Sequence, residues 1–89
     1  MLKSAYHPKA FLALKKNVQR GLIKRTKIVL LLQGSPLSAA ALAQKTGLSY
    51  KSVLHHLHLL EVEYIIARGD SKPYIWRLTG VGQQTLLGE

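Results

Sequence analysis

Cysteine is absent from this sequence, so neither a disulfide nor a thiolate metal site is available to it. Acid is scarce: thirteen Lys and Arg stand against four Asp and Glu, for a formal charge of +9. The shortage is uneven. Residues 1–60 hold ten basic residues and no acid, whereas Glu61, Glu63, Asp70 and Glu89 all fall in the last third. Long hydrophobic runs are missing too. The longest, IVLLL at positions 28–32, falls far short of the roughly 20 apolar residues that cross a bilayer. The start, MLKSAYHPK, lacks the apolar stretch and small-residue cleavage site of a secretory signal. Paired carboxylates and a phosphate-cradling glycine loop are also wanting, which argues against an enzyme.

These absences define what is left. Eighty-nine residues make one small domain whose core is marginal alone, and without staples the most direct source of extra stability is a second copy. The chain reads as a cytoplasmic protein with no membrane partner. A basic field of this size attracts polyanions. Lysine-rich proteins that are merely soluble usually carry glutamate alongside, so an acid-free stretch of sixty residues points to nucleic acid. An anionic membrane would call for a basic amphipathic helix with exposed aromatics, and none stands out.

Along the chain, the first seven residues read as loose. His7-Pro8 sets His7 extended and suits Pro8 to the first turn of a helix. Over residues 9–20, Phe11, Leu14 and Val18 recur at helical spacing and predict an N-terminal helix, with Gly21 as a break. A second helix is expected over residues 22–33. Its first half is basic (Lys24, Arg25, Lys27) and its second is apolar all round, so it must be covered on more than one side, by the first helix or by another subunit. Gly34-Ser35-Pro36 ends it. Ser38 then caps a short helix that closes near Thr46-Gly47, and Ser49 caps another that runs to Leu60 or Glu61. Residues 64–68 and 74–78 read as two strands around the turn residues Gly69 to Pro73, with Tyr74, Trp76 and Leu78 on one face. Thr79 caps a short terminal helix that its glycines weaken.

The predicted order is helix, helix, short helix, helix, hairpin, helix: mainly α with a small β-hairpin. That is a winged helix-turn-helix with an extra N-terminal helix and a short C-terminal helix. As a single domain it divides into an extension helix (1–21), a winged-helix core (22–78) and a terminal helix (79–89).

Two stretches carry a likeness. GSPLSAAALAQKTGLSYKSVLHHLHLLEVEYII and RGDSKPYIWRLT, with Gly82 beyond, resemble winged helix-turn-helix regulators of the ArsR-like type, including small archaeal and archaeal-virus versions. The likeness spans about two-thirds of the chain, residues 22–79, and leaves out the first twenty residues. It implies a DNA-binding transcription regulator: the second helix of the pair in the major groove, the wing on the adjacent backbone or minor groove, and flanking helices building a symmetric homodimer associated with the nucleoid. One departure is Tyr64, where the family usually has glycine after the recognition helix.

The histidines cluster in that helix, at positions 55, 56 and 58. At about 100° per residue, His56 falls with Val53, Leu57 and Leu60 on the face expected to pack on Leu42, Leu48, Ile28, Leu31 and Leu32. Lys51, His55 and His58 fall opposite, as donors for phosphate or base edges. His55 and His58 are spaced to chelate one ion, but no thiolate and few acids remain to complete a zinc shell. No metal or other cofactor is expected.

The candidate DNA-binding residues are Ser38, Lys45, Ser49, Tyr50, Lys51, Ser52, Leu54, His55, His58, Arg68 and Lys72. Of these, Tyr50, Lys51, Leu54 and His55 are candidates for reading bases, with Leu54 meeting a thymine methyl. Lys45, Arg68 and Lys72 are assigned to phosphate, as are Ser38 and Ser49 at helix N-termini. Lys24, Arg25 and Lys27 are placed to reach backbone beside the groove. The candidate dimer surface comprises Phe11, Leu14, Val18, Val29, Leu30, Leu86 and Leu87. Two other uses of such a fold stay open: a sequence-independent chromatin-type or RNA-binding module, and a protein-interaction module.

Overall fold

The computed structural model describes residues 6–80. These residues form three α-helices and a three-stranded antiparallel sheet: α1 (Gln19–Gly34), β1 (Leu37–Ser38), α2 (Ala39–Thr46), α3 (Tyr50–Val62), β2 (Ile66–Arg68) and β3 (Ile75–Leu78). This mixed α/β arrangement is compatible with a helix-turn-helix followed by a wing. Among the described residues, no helix is long and apolar enough to cross a membrane. The expected terminal helix, with Val81, Leu86 and Leu87, lies outside the described residues.

Local chemistry sets the helix ends. The Ser38 hydroxyl accepts the Ala41 N–H at 3.1 Å and starts α2, and Gly47, at φ +81°, ends it in the left-handed region open to glycine. The Thr46 hydroxyl fixes the turn that follows: it donates to the Leu42 carbonyl (2.7 Å) and accepts from the Leu48 N–H (3.1 Å). The Ser49 hydroxyl then takes the Ser52 N–H at 3.0 Å and starts α3. Tyr64 stops the chain after α3 by entering the left-handed region itself, at φ +63°, without the help of glycine. Its carbonyl and that of Ile65 accept hydrogen bonds from the Thr79 side chain, which ties the start of the hairpin to its exit.

The hairpin carries a third strand that the sequence did not disclose. β3 is central, with β2 on one side (Ile66 opposite Leu78, Arg68 opposite Trp76) and β1 on the other (Leu37 opposite Trp76). Below the sheet and between the helices lies the core. Trp76, Ile28, Leu42, Leu57, Leu60, Ile66, Val29 and Val53 are fully buried there, each such side chain stabilising the fold by about 1.5–3 kcal/mol. Leu32 is buried with them, and Leu31 and Leu48 pack against the cluster from its edge.

The expected N-terminal helix does not form. Pro8–Ala10 make one 3-10 turn after an extended His7, and residues 11–18 run as an irregular strap into α1. Side chains from elsewhere claim the backbone groups that a helix would have used. Asn17 takes the Leu12 N–H at 2.7 Å and donates to its carbonyl at 2.8 Å. The Glu63 carboxylate accepts the N–H groups of Ala13 and Leu14 at 2.7 and 2.8 Å. Nε of Arg25 donates to the Ala10 carbonyl at 2.7 Å. Ala10 and Leu12 are thereby pressed into buried positions.

Gly21 is not a break but part of α1, which starts three residues before the expected position 22. A Cβ at Gly21 would stand 2.8 Å from Nη1 of Arg25, so the glycine admits the folded-back guanidinium. Val29, expected on the dimer surface, is fully buried, because the core packed around α1 leaves that side of the helix no solvent face. Phe11, Leu14, Val18 and Leu30 remain exposed.

Candidate nucleic-acid interface

α3 offers two unlike faces. Val53, His56, Leu57 and Leu60 are buried, while Tyr50, Lys51, His55 and His58 are exposed and Ser52 and Leu54 are half-buried. His56 faces Arg25. With the guanidinium donating, Nη1 lies 3.3 Å from Nδ1 of His56, so the ring accepts there and is neutral. Burial first, then the charges of Arg25, His55 and Lys24, hold its pKa down at about 4. Nη2 of Arg25 completes the cluster on Asn17 Oδ1 at 3.1 Å. Arg25 is therefore a structural cation, 3% exposed, with its donors used inside the fold. It cannot reach a DNA backbone, contrary to the sequence expectation, while Lys24 and Lys27 remain accessible.

The two outward histidines part company. The ring of His58 leans on Trp76, with centroids 6.1 Å apart, towards the hairpin. That of His55 meets His56 edge-on at 4.9 Å, towards α1. Each marks a concavity on one flank of α3.

On the hairpin flank, Tyr50, Leu54 and His58 form one wall of a cleft of about 420 Å³. Ser38 closes one end, and Arg68, Lys72 and Tyr74 form the other wall. The Arg68 guanidinium lies 4.5 Å from the ring centre of Tyr74 and 5.7 Å from that of Trp76, with Nε 3.3 Å from the Glu61 carboxylate. Stacking and ion pairing hold it ready at the cleft mouth. Six candidate residues thus converge: Ser38, Tyr50, Leu54, His58, Arg68 and Lys72. Tyr74 joins them unforeseen; the strand alternation had put it on the Trp76 face without revealing that this face meets α3.

On the other flank, Ser52 and His55 meet the start of α1 around a more open hollow of about 780 Å³. Lys51 stands exposed on α3 and lines neither concavity; nor do Ser49 and Lys45, the latter an exposed residue in the last turn of α2. Among the described residues, no group of three or more His, Asp or Glu is placed to hold a metal ion. Together the two flanks offer hydroxyl, imidazole and cationic donors, with aromatic and aliphatic surface between them. Compared with protein-family models and with curated proteins, the chain matches none.

Proposed function

We propose that the chain is a sequence-specific double-stranded DNA-binding transcription regulator. It lays α3 in the major groove, sets the β2–β3 hairpin as a wing on the adjacent backbone or minor groove, and acts as a homodimer in the cytoplasm on nucleoid DNA. Such a protein carries out no reaction and needs no cofactor. One observation carries the proposal: α3 is capped and anchored by four buried residues, yet presents Tyr50, Lys51, His55 and His58 to solvent beside a hairpin bearing Arg68 and Lys72. A helix of about 10–12 Å across matches a major groove of about 12 Å, and the mixed aromatic, cationic and imidazole surface suits base edges better than a uniform lysine patch would. The likeness to ArsR-like winged-helix regulators supports the same reading.

The homodimer is supported by apolar surface that one small domain leaves uncovered, at Phe11, Leu14 and Leu30. A two-fold dimer would present its two α3 helices about 34–36 Å apart, one turn of DNA. The deciding experiment is selection of bound duplexes from a random pool, followed by titration of the selected and scrambled duplexes at fixed salt. A regulator prefers the selected site by a factor of about 10³ or more. Equal affinity for both, with a steep salt dependence, would replace this reading with the sequence-independent chromatin-type or RNA-binding one, which the overall charge of +9 favours.

A further inference from the structure

The hollow between α1 and α3 gathers Lys24, Ser52 and His55, which the sequence assigns to separate DNA contacts, with Arg20, which it assigns to none. Six polar side chains line it, Gln19, Arg20 and Lys24 from α1 and Ser52, His55 and His56 from α3, over an apolar part supplied by Val18 and Ile23. Among the described residues, no acid lines it. Among the described residues Arg20 and Lys24 make no ion pair, and the pair of Arg68 with Glu61 joins α3 to the hairpin instead. His56, at the edge of the hollow, is kept neutral by burial first and then by the charges of Arg25, His55 and, last, Lys24.

The position of the hollow gives the charge a meaning. Ser52 and Leu54 are two residues apart on α3, so they point about 200° apart around its axis. One lines the hollow and the other the hairpin cleft. α3 is therefore bracketed by cations on both flanks, Arg68 and Lys72 on one and Arg20 and Lys24 on the other. A helix that fills a major groove has a sugar-phosphate strand on each side, because helix and groove are of nearly equal width.

We propose that the hollow binds a backbone phosphate of the DNA strand opposite the one held by the hairpin. Arg20 and Lys24 supply the charge, Ser52 and His55 supply hydrogen-bond donors, and Val18 and Ile23 lie against the neighbouring deoxyribose. The inference rests on α3 entering the major groove, and it makes the start of α1 a second clamp that fixes register without reading sequence.

The test is the salt dependence of duplex binding between 50 and 200 mM KCl (roughly the range in which phosphate neutralisation is felt). It compares the wild type, the Arg20→Ala/Lys24→Ala pair, and Lys72→Ala, on the selected duplex and on a scrambled one. Removing one neutralised phosphate flattens the plot of log K against log salt by about 0.9. The pair should flatten it by at least that much, equally on both duplexes, and should add to the effect of Lys72→Ala. The Arg20→Gln/Lys24→Gln pair, which keeps long helix-forming side chains, should do the same and so separates charge removal from any loosening of α1. An unchanged slope in both pairs, with a flattened slope in Lys72→Ala, would overturn the second clamp and leave the major-groove reading standing. A wild type that binds no duplex would overturn the parent reading, and this one with it.

Discussion

The neutral histidine beside Arg25 makes stability depend on pH in a way that can be worked out beforehand. Unfolded, His56 titrates near the ordinary histidine value of 6.5; folded, it is held at about 4. A folded pKa below the unfolded one means that the unfolded chain binds the extra proton. Stability from this group is therefore complete above about 6.5 and is lost as the pH falls through the window down to 4. The whole gap corresponds to about 3 kcal/mol, and the part lost between pH 7 and 5 to about 2 kcal/mol. The structural reason is that protonation would turn the Nδ1 acceptor into a donor aimed at a guanidinium 3.3 Å away, in a site 6% exposed for His56 and 3% for Arg25. Against a total of about 5–15 kcal/mol for a small domain, such a loss is easily measured.

The assay is urea unfolding at pH 7, 6 and 5, followed by the fluorescence of Trp76, the single and fully buried tryptophan. The partner measurement uses His56→Gln, whose amide oxygen can still accept from Arg25 but does not titrate. His7, whose pKa is also lowered, chiefly by burial and then by Lys9, adds a loss of the same sign. The decisive quantity is thus the difference between the two proteins, expected to be about 2 kcal/mol across that range. If wild type and His56→Gln lose stability in parallel, His56 is not buried neutral against Arg25, and the account of the cluster fails.

Two further substitutions have signs opposite to what local propensity alone would give, or to what a bulky side chain would imply. Tyr64 holds φ at +63° while 72% exposed, so it suffers the left-handed conformation and gains little packing in return. Tyr64→Gly should raise stability by about 0.5–1 kcal/mol, the left-handed penalty less the extra chain entropy of glycine, read as a higher urea midpoint at unchanged slope. Gly21→Ala in the first turns of a helix would ordinarily gain up to about 1 kcal/mol. Here the new Cβ meets Nη1 of Arg25 at 2.8 Å, and that guanidinium is held by Ala10, Asn17 and His56. A loss of about 1–2 kcal/mol is expected, from disturbing hydrogen bonds made by a charged group, and a stabilised variant would show that Arg25 moves aside freely.

What the sequence disclosed and what it hid divide along a physical line. α2, α3 and the β2–β3 hairpin were legible because their signals are local: Ser38 and Ser49 bond N–H groups three residues on, and Gly47 supplies its own turn. The inward turn of His56 followed from helical angle alone. The strap was illegible because its conformation is decided from a distance. Glu63 reaches it across 49 and 50 residues of sequence and Arg25 across 15, and no periodicity in residues 9–20 records those partners. Gly21 was misread for the same reason: its purpose lies in the Arg25 side chain rather than in the backbone. β1 escaped because two residues cannot show an alternation. His55 and His58 shared a stripe on the helical wheel, but Trp76 and the start of α1 draw them to different flanks.

The strap also moves the apolar surplus on which a dimer would be built. In the sequence, an all-round apolar α1 needed a cover beyond its own domain. Ala10 and Leu12 supply part of that cover, and Ile28, Val29 and Leu32 are already buried in a single chain. The surplus has shifted outward, to Phe11 and Leu14 on the strap and to Leu30 on α1. Val18 is exposed too, but it lines the hollow that faces Ser52 and His55, so its exposure belongs to the flank of α3 and not to a free outer surface. A two-fold interface that covered Val18 would close the hollow to phosphate; one built on Phe11, Leu14 and Leu30 leaves it open. The dimer and the second clamp are therefore compatible only in the latter form. In that form the interface would be built on the strap, which Glu63 ties to the end of α3 and Arg25, through His56, to its middle.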